Sequence, residues 1–240
     1  MGRGSEPSTV PPDNAYVKRH TPHLVGWSLW WRWTLATALG ELIGFAVPGS
    51  VAPVLAWALT GTEGAFPVYA LFVAAVLAGV VEGASLGLAQ WLVLRRCLRQ
   101  VARWRWVLAT AIAAGAAYIL GMTPSTLTDL TPVSEPLLIG LYAVLGALLL
   151  PSIGLAQWLA LRPHIPRAGW WIPANALAWL AGLAVPMVGL TSIPDGSPLA
   201  VWIIVGVISG ALMGVMVGAI TGVALVRLTT PRQSPPGSCR

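Results

Sequence analysis

Long apolar runs alternate with short polar connections along this chain. Six runs are long enough to cross a bilayer, at roughly 30–50, 66–94, 104–122, 137–161, 169–190 and 199–228. A spanning helix needs about 20 mostly apolar residues, and in hydrocarbon a helix satisfies its own backbone polar groups. The pattern predicts an all-α integral membrane protein with six transmembrane helices. Residues 51–60 are also apolar, but Pro48 and Pro53 interrupt them, so this stretch either extends the first helix or dips back into the membrane. Residues 123–136, rich in Ser, Thr and Pro, are expected to form a plain surface loop.

The polar positions set the orientation. Arg95, Arg96, Arg99, Arg103 and Arg105 separate the second and third runs, and Arg162 and Arg167 separate the fourth and fifth. Arg3, Lys18, Arg19 and Arg32 precede or open the first run, and Arg227, Arg232 and Arg240 close the chain. The three other connections hold no Lys or Arg, only Glu63, Asp129, Glu135 and Asp195. Basic loops stay in the cytoplasm, which puts both termini there. Trp27, Trp30, Trp31, Trp33, Trp91, Trp104, Trp106, Trp158, Trp170 and Trp171 crowd the arginine-bearing ends, as expected of an aromatic belt at one interface.

One hairpin recurs. Gly87-Leu-Ala-Gln90-Trp91-Leu-Val-Leu94-Arg95 returns as Gly154-Leu-Ala-Gln157-Trp158-Leu-Ala-Leu161-Arg162, with a degenerate third copy at Gly222-Val-Ala-Leu225-Val226-Arg227. In the odd runs, Arg32-Trp33-Thr-Leu-Ala-Thr37 matches Arg105-Trp106-Val-Leu-Ala-Thr110, and Trp171-Ile-Pro-Ala-Asn175 is the weaker third copy. Each unit is a two-helix hairpin of about 70 residues, and such self-similarity is the sequence mark of an internal repeat. The expected organisation is three αα-hairpin repeats, at about 27–95, 103–162 and 169–228, inside a membrane domain spanning 24–228. A two-helix unit returns to its starting side, so three copies share one topology and imply pseudo-threefold symmetry about the membrane normal. Residues 1–23 and 229–240 are expected to be cytoplasmic tails, the first of them disordered.

The GxxxGxxQWLxLR pattern ending at Arg95 resembles a repeat found in uncharacterised bacterial multi-pass membrane proteins. The likeness covers spans two and four and part of span six, and implies a family without an activity. Six helices in three repeats are also similar to mitochondrial carriers, but their Pro-x-Asp/Glu-x-x-Lys/Arg signature is absent from all three units.

Composition narrows the chemistry. The chain of 240 residues is 56% hydrophobic and 9% charged, against roughly 25% charged in soluble domains. The net charge of +6 is clustered between apolar runs, which excludes a nucleic-acid-binding face. Lys18 is the lone lysine among many arginines, a composition that fits a GC-rich bacterium and a plasma-membrane location. Cys97 and Cys239 both fall on the expected cytoplasmic side, so no disulfide is expected. His20, His23 and His164 lie outside the apolar runs and leave no haem ligand in the membrane. No catalytic constellation, metal site or cofactor motif is visible.

Three groups of residues stand out. Gly79, Gly83 and Gly87 in span two and Gly206, Gly210, Gly214, Gly218 and Gly222 in span six recur every four residues. Such stripes let helices approach closely, within the chain, in a homo-oligomer or against a membrane partner. Gln90 and Gln157 each precede an arginine by five residues, and Thr37 and Thr110 each follow one by five. All four lie roughly 7–8 Å into the membrane, and with Asn175 they are expected to form one hydrogen-bonded polar layer.

Glu41 and Glu82 lie deeper, at roughly 13 and 20 Å from the arginines. The repeat places Ala114 and Trp179 at the positions of Glu41, and Leu149 and Val217 at those of Glu82, so both acids break the pattern. Neither has a basic residue at its depth. They either hold helices together as protonated donors or bind a cation or carry a proton. Three functions follow: a structural or accessory membrane component, a transporter or channel for a small solute or cation using Glu41 and Glu82, or, least supported, a lipid-processing enzyme. The arginines from Arg95 to Arg105 are also expected to meet anionic lipid.

Overall fold

The computed structural model describes residues 26–194 and 196–230. Asp195, the segment 1–23 and nearly all of 229–240, with Cys239, His20 and His23, lie outside the described residues. Among those described, the chain is helical throughout: α1 (Gly26–Ala58), α2 (Phe66–Cys97), α3 (Arg103–Leu130), α4 (Glu135–Leu161), α5 (Trp171–Thr191) and α6 (Leu199–Thr229), with a short 3-10 turn at Ala168–Trp170. All six are long and apolar enough to cross a membrane, which is compatible with a multi-pass membrane protein.

One boundary left open by the sequence is decided and one expectation changes. Residues 51–58 do not dip back; α1 continues through Pro48 and Pro53 to Ala58. Residues 123–130 are not loop; α3 runs through Pro124 to Leu130, and the connection to α4 shrinks to four residues, 131–134. Hydroxyls close to Pro48 and Pro124 donate to helix carbonyls one turn back. Ser50 Oγ donates to Ala46 O at 2.5 Å, and Thr123 Oγ1 donates to Ile119 O at 2.6 Å. Ser, Thr and Pro that read as loop formers in water support a helix in this setting.

Each helix packs on its neighbours in sequence, and α6 packs on α1, so the six form a closed ring. Small residues make the seams. A Cβ built at Gly83 would lie 2.8 Å from Thr110 O on α3, and one at Gly44 would lie 2.9 Å from Glu82 Cα on α2. The closing seam is the span-six stripe. A Cβ at Gly214 would come within 2.8 Å of Ala38 Cα, and one at Gly218 within 2.8 Å of Thr34 Cα, both on α1. Gly210 and Gly222 also face α1, and Gly206 faces open space.

The ring is tight at one end and loose at the other. Buried residues run from 29 to 44 in α1, 78 to 94 in α2, 153 to 161 in α4, 171 to 182 in α5 and 209 to 225 in α6. In α3 they run from 106 to 115, with Pro124 beyond. In every helix these are the turns nearer the arginines. The tight end is sealed by Trp33, Trp106 and Trp171, one from each odd helix. Their rings meet pairwise at 6.2, 5.8 and 6.1 Å between centroids. Leu29, Leu94, Leu161 and Leu225 pack in the same buried cluster.

These three tryptophans are fully buried and do not belong to the interfacial belt expected from sequence. Trp31, Trp91, Trp104 and Trp158 behave differently: each lies under an arginine guanidinium at 5.2 Å, paired with Arg32, Arg95, Arg105 and Arg162 in turn. Each such cation–π pair contributes about 0.5–1 kcal/mol at exposed sites.

Candidate functional site

Directly above the tryptophan seal lies a polar cluster. Thr37, Gln90, Thr110, Gln157 and Asn175 are all buried. Gln157 is its hub. Its Nε2 donates to Gln90 Oε1 and to Thr110 Oγ1, each at 3.0 Å, and its Oε1 accepts from Trp171 Nε1 at 3.0 Å and from Asn175 Nδ2 at 3.5 Å. Gln90 Nε2 donates onward to Thr37 Oγ1 at 3.4 Å. Helices α1 to α5 are thus joined through side chains in one layer. On α6 the corresponding place in the sequence alignment is held by Leu225, an apolar residue. There the closing contact is Trp33 Nε1, donating to Thr221 Oγ1 at 2.8 Å. Thr221 was not singled out from the sequence, although it precedes Leu225 by one turn. Trp106 Nε1 is buried with no acceptor.

The two intramembrane acids meet on the far side of this layer. Glu41 is fully buried and Glu82 nearly so. Their positions follow from small residues on the faces opposite: Gly214 of α6 lies against the Glu41 side chain, and Gly44 of α1 lies against Glu82. The two carboxyl groups stand within electrostatic reach of each other, and neither has a basic partner among the described residues. Glu82 Oε2 accepts a hydrogen bond from Tyr118 Oη at 2.6 Å. Both oxygens of Glu41 are buried with no well-directed hydrogen bond.

Tyr118 was not anticipated from sequence. It lies two turns beyond Thr110 on the same face of α3, and that register is the signal that would have found it.

Glu82 and Tyr118 line a cavity of about 240 Å³ where the ring loosens. Every helix contributes to its wall: Phe45 from α1, Glu82 from α2, Tyr118 from α3, Leu149 from α4, Trp179 from α5 and Met213 from α6. The volume far exceeds that of one water and approaches the lower end of small-ligand pockets, about 300 Å³. Apart from the carboxyl and the phenol, the wall is mainly hydrocarbon and aromatic. Of the four residues that the sequence alignment matches to the two acids, Ala114, Leu149 and Trp179 line the same space and Val217 does not. The tryptophan seal and the glutamine layer block passage towards the arginine-bearing end.

No group of three or more His, Cys, Asp or Glu able to hold a metal ion is found among the described residues. Comparison with protein-family models, curated proteins and solved structures gives no match to this chain.

Proposed function

We propose that this chain is a carrier for a small, positively charged solute in a bacterial plasma membrane, and that Glu41, Glu82 and Tyr118 form its binding centre. The observation that carries this reading is a pair of buried carboxyl groups without a basic partner among the described residues: Glu82 at the cavity wall, and behind it Glu41, which has no well-directed hydrogen bond and only the Glu82 carboxyl within reach. Burying an uncompensated carboxyl costs several kcal/mol. Packing alone does not call for a carboxyl there, since the residues matched to Glu41 in the other two hairpins are the apolar Ala114 and Trp179. A cation entering from the loose end would supply the missing partner.

In this proposal the scaffold is three hairpins around a pseudo-threefold axis. It is supported by the Trp33–Trp106–Trp171 triangle and by arginine–tryptophan pairs at matching repeat positions. The arginine-bearing end lies in the cytoplasm, with the cluster from Arg95 to Arg105 against anionic lipid. The accessory-component reading drew its support from the glycine stripes. Gly79, Gly83 and Gly87 face α3, and Gly210, Gly214, Gly218 and Gly222 face α1, so they are occupied within the chain.

Flux in proteoliposomes tests the proposal, with methylammonium uptake followed under an imposed proton gradient. The expected result is uptake that falls at least tenfold in Glu82→Gln and in Glu41→Gln, with both variants eluting as folded protein. Equal uptake by the wild-type chain and both variants rejects the carboxyl centre.

A further inference from the structure

We infer that the cavity takes an organic ammonium ion with an apolar body, in preference to a bare metal cation; this rests on the carboxyl-centre reading. The argument is one of coordination. Alkali and alkaline-earth ions are held by several oxygen ligands, on the order of six to eight for calcium. The cavity wall offers the Glu82 carboxyl and the Tyr118 phenol, with Glu41 behind them, and the phenolic oxygen already donates its proton to Glu82. Elsewhere the wall is carbon and thioether sulfur, which replace none of the water a metal ion must shed.

An ammonium group has a different requirement. One or two charge-assisted hydrogen bonds to carboxyl oxygen suffice for it. Its carbon substituents gain from apolar contact, and its diffuse charge is attracted to aromatic faces. Phe45, Tyr118 and Trp179 supply three such rings from three different helices, next to the acid. Met213 and Leu149 complete an apolar wall fit for a substituent.

The binding site also lies where an amphiphilic cation would find it. On α4 no residue from 135 to 152 is buried, and the helix becomes buried only at Ile153. The wall beside Leu149 is therefore the loosest part of the ring, and an apolar body has a route through it from the membrane interior.

The test is equilibrium binding to the purified full chain in detergent, with phenethylammonium, its neutral isostere 2-phenylethanol, and sodium as probes. Phenethylammonium is expected to bind at least tenfold more tightly than 2-phenylethanol, with sodium neither binding nor competing. Glu82→Gln is expected to abolish that preference. Leu149→Trp, which fills the cavity and leaves both acids in place, is expected to weaken phenethylammonium at least tenfold while the protein remains monodisperse; it keeps the test open where Glu82→Gln fails to fold. Sodium binding without phenethylammonium binding overturns the inference and leaves the cation reading standing. Equal binding of the alcohol and the amine, or no binding of any probe, overturns both.

Discussion

Gln157 on α4 donates its side-chain amide to Gln90 on α2 at 3.0 Å. These helices are not neighbours in the ring, so the bond crosses it. Deleting Gln157 removes four hydrogen bonds at once, including the acceptor of Trp171 Nε1. Gln157→Leu is expected to lower unfolding stability in detergent by about 2 kcal/mol, since leaving buried donors unpaired costs about 1–3 kcal/mol. Thr37→Val, which removes one long bond, is expected to cost about 0.6 kcal/mol, an average value for membrane hydrogen bonds. Equal losses for the two would show that Gln157 is not the hub.

Glu41 behaves in the opposite way. Its carboxyl has no well-directed hydrogen bond and its one close polar neighbour is a second carboxyl, so an apolar residue of similar size removes a burial cost and a like-charge neighbour together. Glu41→Leu is expected to raise stability by about 1 kcal/mol or more and to abolish cation uptake. A stability loss would mean that Glu41 holds the fold together.

The closing seam predicts a contrast between two glycines on one helix. Gly218 has no room for a side chain against Thr34, and Gly206 faces open space. Gly218→Val forces α6 from α1 and is expected to cost about 3 kcal/mol or to prevent folding, the range of severe overpacking. Gly206→Ala is expected to stabilise by about 0.5–1 kcal/mol through helix propensity. Thermal unfolding of both variants by loss of monodisperse elution checks the pair.

Arg167 has φ of 68°, the one left-handed backbone at a residue other than glycine among those described. For such a residue this conformation costs roughly 1–2 kcal/mol. Arg167→Gly is expected to stabilise the protein by about 1 kcal/mol, read as a rise in unfolding midpoint. No change would place the strain elsewhere.

The sequence predicts the six helices well because hydropathy reports which segments leave water. It also groups Gly79, Glu82, Gly83, Leu86 and Gln90 on one face of α2, and the structure buries all five. What hydropathy does not reveal is which apolar face looks inward, because lipid and protein interior are equally apolar. Trp33 and Trp31 share the same depth and composition, yet one is sealed in the centre and the other meets Arg32 at the surface. Polar and small residues carry the inward signal instead. Tyr118 and Thr221 carried it too, one turn or two from residues already singled out, and register along each helix would have found both.

The taper of the bundle separates two energy scales. The contacts that fix the fold, from the tryptophan seal to the glutamine layer, occupy the turns near the arginines, while the farther turns have almost no buried side chains to lose. Local rearrangement costs least in those turns, where few apolar contacts must break. Glu41 and Glu82 sit at that boundary, anchored on the side that is costly to disturb and facing the side that is not.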